Sequence, residues 1–207
     1  MTERVFFLLA GPNGAGKSSL YRAAVNSGLI AADAAFVNAD LYERDHLAHI
    51  PDAQKRSEAA RDWADQRRAS LLGLGHSFVS ETVFSHPSKL QLIAQAQAKG
   101  FQVVLLVVCL DDPQLLLLRV QQRVREGGHD VPAQRVLDRY PRTIAHLTQA
   151  VRMADLAMLY DSGASTQDAM QVNRPRRVAV CRKHVTHSMV EPLPRWARQV
   201  LGLQLLL

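Results

Sequence analysis

Residues Gly11-Pro12-Asn13-Gly14-Ala15-Gly16-Lys17-Ser18 match the pattern GxxxxGK(S/T) in full and directly follow the apolar run Val5 to Ala10. Each part of that pattern has a physical task. Glycines let the backbone curl until successive N–H groups converge on an anion. A helix starting near Lys17 adds the positive end of its dipole at the same point. The lysine reaches the terminal phosphates of a bound nucleotide, and the serine hydroxyl ligates Mg²⁺. The segment therefore predicts a strand, a phosphate-cradling loop and a helix. Gly11, Asn13, Gly14, Ala15, Gly16, Lys17, Ser18 and Ser19 are the candidate contacts for ATP, with Ser18 on Mg²⁺. Lys17 is expected on a solvent-facing loop.

The remaining chain alternates strands and helices. Strands are expected at Arg4 to Ala10, Ala35 to Asn38, Ser77 to Glu81, Phe101 to Leu110 and Leu156 to Tyr160. Between them, helices are expected at about Asp52 to Leu72, from Pro87 to Gly100, from Pro113 to Glu126 and from Pro132 to Met153. Phe101 to Leu110 is apolar on both faces, as a central parallel strand should be. Gln167 to Arg176 reads as a polar loop, Arg177 to Arg182 as a late strand, and a last helix begins near Pro194. This order implies an α/β fold of the P-loop NTPase type. It has a parallel five-stranded sheet, helices on both faces and a helical lid. The chain reads as a single domain over residues 1–207, with a lid at about 112–153 and a C-terminal extension at about 164–207.

Open parallel sheets bind ligands beyond the carboxyl ends of their strands. Acids occur there: Asp40 after the second strand, Glu81 after the third, and Asp111 and Asp112 after the fourth. Phosphoryl transfer to a hydroxyl needs a carboxylate to orient the acceptor and take its proton. Asp40 is the candidate for that role. Glu81, with Thr82 beside it, is the candidate substrate contact, and Glu81 could instead hold a water on Mg²⁺. Asp111 and Asp112 precede a proline that opens a helix, so helix capping is the better reading for both.

Arg119 and Arg123 share one helix face before the Gly127-Gly128 break, and Arg135, Arg139 and Arg142 form a second stripe beyond it. Guanidinium groups on a lid can neutralise a transferring phosphoryl group while excluding water. Arg119 and Arg123 are thus candidate catalytic groups, alongside Lys17 and Asp40. The alternative for any of these arginines is a solvated helix residue. His129 is a loop residue or a ligand contact.

The formal net charge of +6 invites a nucleic-acid reading, but no basic block interleaved with aromatics occurs, and a protein that handles phosphates carries the same excess. Cys109 lies in the apolar run VVLLVVCL and reads as core packing, Cys181 forms no CxxC pair with it, and a reducing cytoplasmic setting fits. The apolar run at the N-terminus is too short for a signal peptide and leads into the glycine loop. No stretch approaches a membrane span. The C-terminal LGLQLLL is expected to dock on the body or to meet a partner.

Together the segments AGPNGAGKSSL, NAD at 38–40, SETVFS at 80–85, RVQQRVREGGHDVP at 119–132, RYPRTIAHL and the later AD and YDSG resemble the zeta-toxin-like kinase family, in the right order from about residue 5 to 163. That resemblance implies an ATP-dependent kinase like members that phosphorylate the sugar of UDP-N-acetylglucosamine, and a neutralising antitoxin as partner. It also implies Asp40 at the catalytic-base position, Glu81 at a substrate contact, and arginines of the 119–129 region at the phosphates. Alternatives are a kinase for another hydroxylated metabolite or a polynucleotide end, or a non-catalytic ATP-binding regulatory module.

Overall fold

A computed structural model of the chain describes residues 3–126, 131–163, 175–183 and 185–203. His129, most of the 167–176 loop and the last four residues of LGLQLLL lie outside them. Strands β1 (Val5–Ala10), β2 (Ala35–Val37), β3 (Phe78–Thr82), β4 (Gln102–Cys109) and β5 (Leu156–Asp161) pair in parallel in the order β2-β3-β1-β4-β5. The sheet then continues with β6 (Arg176–Arg182) and β7 (Val185–Ser188), both antiparallel, to seven strands. The five expected parallel strands are present. The late strand is present too, but it opens an antiparallel hairpin, whose second strand is exposed at every position and has no apolar periodicity to reveal it.

Side chains of the central strands alternate between two cores. Phe6, Leu8, Val103 and Leu105 face one side, with Ile93, Leu147 and Trp196; Leu9, Val104, Leu106 and Val108 face the other, with Leu20, Leu116 and Val120. The first core is covered by α3 (Ala53–Leu74), α4 (Ser88–Ala98), much of α6 (Ala133–Met153) and α7 (Arg195–Leu201); the second by α1 (Lys17–Asn26) and α5 (Pro113–Arg125). Burial on both faces is what makes β4 apolar along its whole length.

One helix was not expected: α2, Ala39–His46. It is short and polar, and its one buried residue is a glutamate, Glu43, so no apolar run marks it, yet Asn38 is a strong start signal. The Asn38 Oδ1 accepts from the Leu41 N–H at 3.1 Å. Glu43, buried on α2, is paired with Arg56 of α3 at 3.1 Å, which fixes α2 against the body.

Asp112 caps α5 by accepting from the Gln114 N–H at 2.9 Å, as expected for a residue before Pro113. Asp111 caps a different helix. Its carboxylate accepts from the Arg195 and Trp196 N–H groups at 3.0 and 2.7 Å, tying α7 to the end of β4. Asp111→Ala is therefore expected to cost about 1 kcal/mol, or roughly 2–4 °C in melting temperature for a chain of this size. A thermal melt followed by tryptophan fluorescence checks this; an unchanged melting temperature contradicts the cap.

Candidate functional site

The β1–β3 register sets Leu9 beside Glu81 and Ala10 beside Thr82, so Glu81 emerges next to the start of the glycine loop. The loop itself is packed against backbone. A Cβ on Gly11 would lie 2.0 Å from the Val108 carbonyl oxygen, and one on Gly14 would lie 2.5 Å from that of Leu116. Both glycines also hold positive φ, 153° and 80°. No other residue fits either position without moving the sheet or α5. The Ala15 N–H closes the loop on the Pro12 carbonyl at 3.3 Å, and Gly16 opens α1. Asn13 is buried, and its Oδ1 has no hydrogen-bond partner among the described residues. Ser18 is exposed in the first turn of α1, and Ser19 accepts from Arg22 at 3.5 Å.

Lys17 does not face solvent: its relative exposure is 8%. Its Nζ donates to the Gly11 and Pro12 carbonyls at 3.0 and 3.1 Å and lies 3.9 Å from the Glu81 Oε1. The expectation of a solvent-facing lysine failed because the parallel pairing brings a carboxylate over the loop, which local sequence does not show. Burial holds Lys17 below the usual lysine range, with Glu81 and then Asp40 opposing. Burial likewise pushes the Glu81 carboxyl above its ordinary range, with Lys17 opposing.

Asn38 joins the acids to α2. Its Nδ2 donates to the Glu81 Oε2 at 3.0 Å while its Oδ1 caps the helix. Asn38 thus belongs to the site, and its N-cap position before Asp40 was the available signal. Asp40 sits exposed in the first turn of α2, and its charge acts on Lys17, Glu81 and Arg139. Arg139 of α6 is set below the ordinary arginine range, first by burial, then by Arg135 and Arg142. Arg139 of the second arginine stripe is therefore within electrostatic reach of Asp40.

Arg123 acts electrostatically on both Lys17 and Glu81. Arg119 points elsewhere: its guanidinium donates to the Ser162 Oγ at 3.1 Å and the Ser162 carbonyl at 2.6 Å, at the end of β5. Thr82 Oγ1 accepts from the Phe84 N–H at 3.2 Å. Cys109 is fully buried, and burial pushes its thiol up to about 12, which fits packing and leaves it unreactive.

The edge thus gathers a curled glycine loop, a buried lysine, two carboxylates and Arg123, whose charge acts on both the lysine and Glu81. The family profile of the Zeta toxin matches residues 2–178. No curated protein matches the sequence. Solved structures share the fold at low identity. One is a chain of the PezAT chromosomal toxin-antitoxin system of the human pathogen Streptococcus pneumoniae, 16% identical with a TM-score of 0.59, over 84% of this chain and 78% of that one. Another, from the AvrRxo1-ORF1:-ORF2 complex with ATP, is 16% identical with a TM-score of 0.67; the match covers 90% of this chain and only 61% of the other. A third, from an RNA repair complex of Pnkp1, Rnl and Hen1, is 15% identical with a TM-score of 0.56, over 72% and 47% of the two chains. With its phosphate loop intact and its profile match spanning most of the sequence, the chain belongs to the Zeta toxin family and is a P-loop phosphotransferase.

Proposed function

We propose that the protein transfers the γ-phosphoryl group of ATP to a sugar hydroxyl, with UDP-N-acetylglucosamine as the acceptor. The observation that carries this reading is the Lys17–Glu81–Asn38 cluster with Asp40 beside it, all at the mouth of the phosphate loop. ATP fits the loop: Gly11 and Gly14 let its backbone pack against Val108 and Leu116 in the curled form that phosphate binding needs, and the α1 N-terminus and Lys17 supply positive charge. The nucleotide supplies the phosphoryl group. Among the described residues no group of three or more His, Cys, Asp or Glu could hold a metal. The Ser18 hydroxyl, exposed in the first turn of α1, would hold Mg²⁺ together with phosphate oxygens.

This chain's residues divide the remaining tasks. Lys17 holds the phosphates and keeps their charge neutralised. Asp40, exposed and unencumbered by a hydrogen bond to Glu81, orients the acceptor hydroxyl and takes its proton. Glu81 and Thr82 line the acceptor side, and Arg123 acts on the phosphates from α5, which with α6 forms the lid; Arg119, bonded to Ser162 in the resting protein, would leave that partner to join it.

Arg123→Ala is expected to lower the maximal rate more than it weakens ATP binding, because charge that develops in the transition state is its target. Arg119→Ala is expected to share that effect, together with a loosening of the β5 end, since Arg119 also bonds Ser162. Steady-state kinetics with a separate nucleotide titration checks both. Loss of nucleotide affinity alone, at an unchanged maximal rate, contradicts the assignment.

The family likeness to the PezAT chain supports a neutralising antitoxin as partner. The substrate assignment is tested with ATP·Mg²⁺ and a panel of nucleotide sugars, other hydroxylated metabolites and oligonucleotides. UDP-N-acetylglucosamine should gain the mass of one phosphoryl group. Gain by another acceptor alone overturns the substrate but keeps the chemistry. Tight ATP binding with no acceptor-dependent ADP release would favour a regulatory module.

A further inference from the structure

Phe84 holds a φ of 63°, in the left-handed region where a bulky side chain is an outlier. Its ring is 0% exposed. Such a conformation persists only where the surroundings over-determine it. Here they do so from two sides. Within the turn, the Thr82 Oγ1 accepts from the Phe84 N–H at 3.2 Å. From α6, the Thr143 hydroxyl donates to the Val83 carbonyl at 3.1 Å, and the His146 Nδ1 meets the Phe84 carbonyl at 3.2 Å. A carbonyl only accepts, so His146 carries its proton on Nδ1 for this bond, in the neutral ring or the imidazolium. Thr143 is itself fully buried, so its hydroxyl has a strong need for that partner.

Two features connect this turn with the acids. Val83 and Phe84 follow directly on Glu81 and Thr82, so the turn sets where β3 ends and how its last carboxylate is presented. The spacing of Arg139, Thr143 and His146 places all three on one face of α6, and Asp40 acts electrostatically on Arg139. One helix face thus grips the turn behind Glu81 and carries an arginine within electrostatic reach of Asp40.

We infer that Thr143 and His146 are positioning residues: by holding the Val83 and Phe84 carbonyls, they lock Glu81 beside Lys17. Neither touches a reacting atom. Their consequence for turnover rests on the kinase reading above, whereas the clamp itself can be read in the resting protein. A brace that only stabilises the fold would change the melting temperature and leave the state of Glu81 alone. A positioning clamp would change Glu81 itself.

The test compares two double variants. Thr143→Val with His146→Ala removes both donors, and Thr143→Ser with His146→Gln keeps a donor at each position. Amide hydrogen exchange across 82–86 and a carbon-13 NMR titration of the Glu81 carboxyl are recorded on the nucleotide-free protein. In the donorless variant, exchange at the Phe84 amide should rise by about tenfold, the usual consequence of losing net hydrogen-bond stabilisation. The Glu81 carboxyl should titrate at lower pH than in the wild type, because solvation removes the burial that pushes it up. The donor-retaining variant should match the wild type in both. Unchanged exchange and titration in the donorless variant overturn the inference. Equal disturbance in both variants also overturns it, because packing rather than hydrogen bonding would then hold the turn. If the donorless double variant does not fold, Thr143→Val alone is read by the same criteria. Failure of the wild type to transfer phosphate would sink the kinase reading and leave both of these readouts intact.

Discussion

Lys17→Ala is expected to lower acceptor-dependent phosphoryl transfer by about 10²–10³-fold, the usual consequence of removing one preorganised donor aimed at developing charge. The effect should not be confined to catalysis. Lys17 is buried, bonded to the Gly11 and Pro12 carbonyls, and opposes the upward push on Glu81. Removing it leaves a buried carboxyl with less to favour its charged form, so Glu81 should rise further above the ordinary carboxylate range. The variant therefore changes two residues at once, and its melting temperature belongs beside its rate. ADP release at saturating ATP, measured with a thermal melt, checks the prediction. Near-native turnover in a folded variant contradicts the phosphate-loop assignment.

Asp40→Asn separates the chemistry from the fold more cleanly. Asp40 is exposed in the first turn of α2, and the helix is capped by Asn38 and held by the Glu43–Arg56 pair, so the fold does not depend on Asp40. The substitution removes one charge and almost no volume. Asparagine cannot take a proton as a carboxylate does. Transfer should fall by about a hundredfold or more, while ATP binding survives on Lys17 and the loop amides. An Mg²⁺ titration distinguishes the roles. Rescue by metal would make Asp40 a metal contact, and an unimpaired rate would make it a surface acid.

What the sequence made legible follows the range of the interactions involved. The glycine loop is contiguous, and each residue's task is local, so it could be read directly. The five parallel strands announced themselves by apolar runs of the right length. Helix α2 is short and polar with only Glu43 buried, and β7 is exposed throughout, so neither has an apolar run to mark it. The burial of Lys17 depends on strand pairing, which places Glu81 over a loop far earlier in the chain. Likewise, Asp111 reads as a cap for the helix beside it, but its partner α7 lies far away in sequence. The electrostatic reach of Arg139 to Asp40 also depends on how α6 packs, which local sequence does not show.

The proposed chemistry moves a phosphoryl group from ATP to a hydroxyl at this edge through Lys17 and Asp40. It is tested most directly with ATP labelled with oxygen-18 in the γ-phosphoryl group, supplied to wild type and Asp40→Asn with UDP-N-acetylglucosamine and Mg²⁺. One ADP is expected for each labelled phosphoryl group found on the sugar in the wild type, with a loss of about a hundredfold or more in the variant and ATP affinity retained. Label released only as free phosphate, or equal transfer by both proteins, would contradict it.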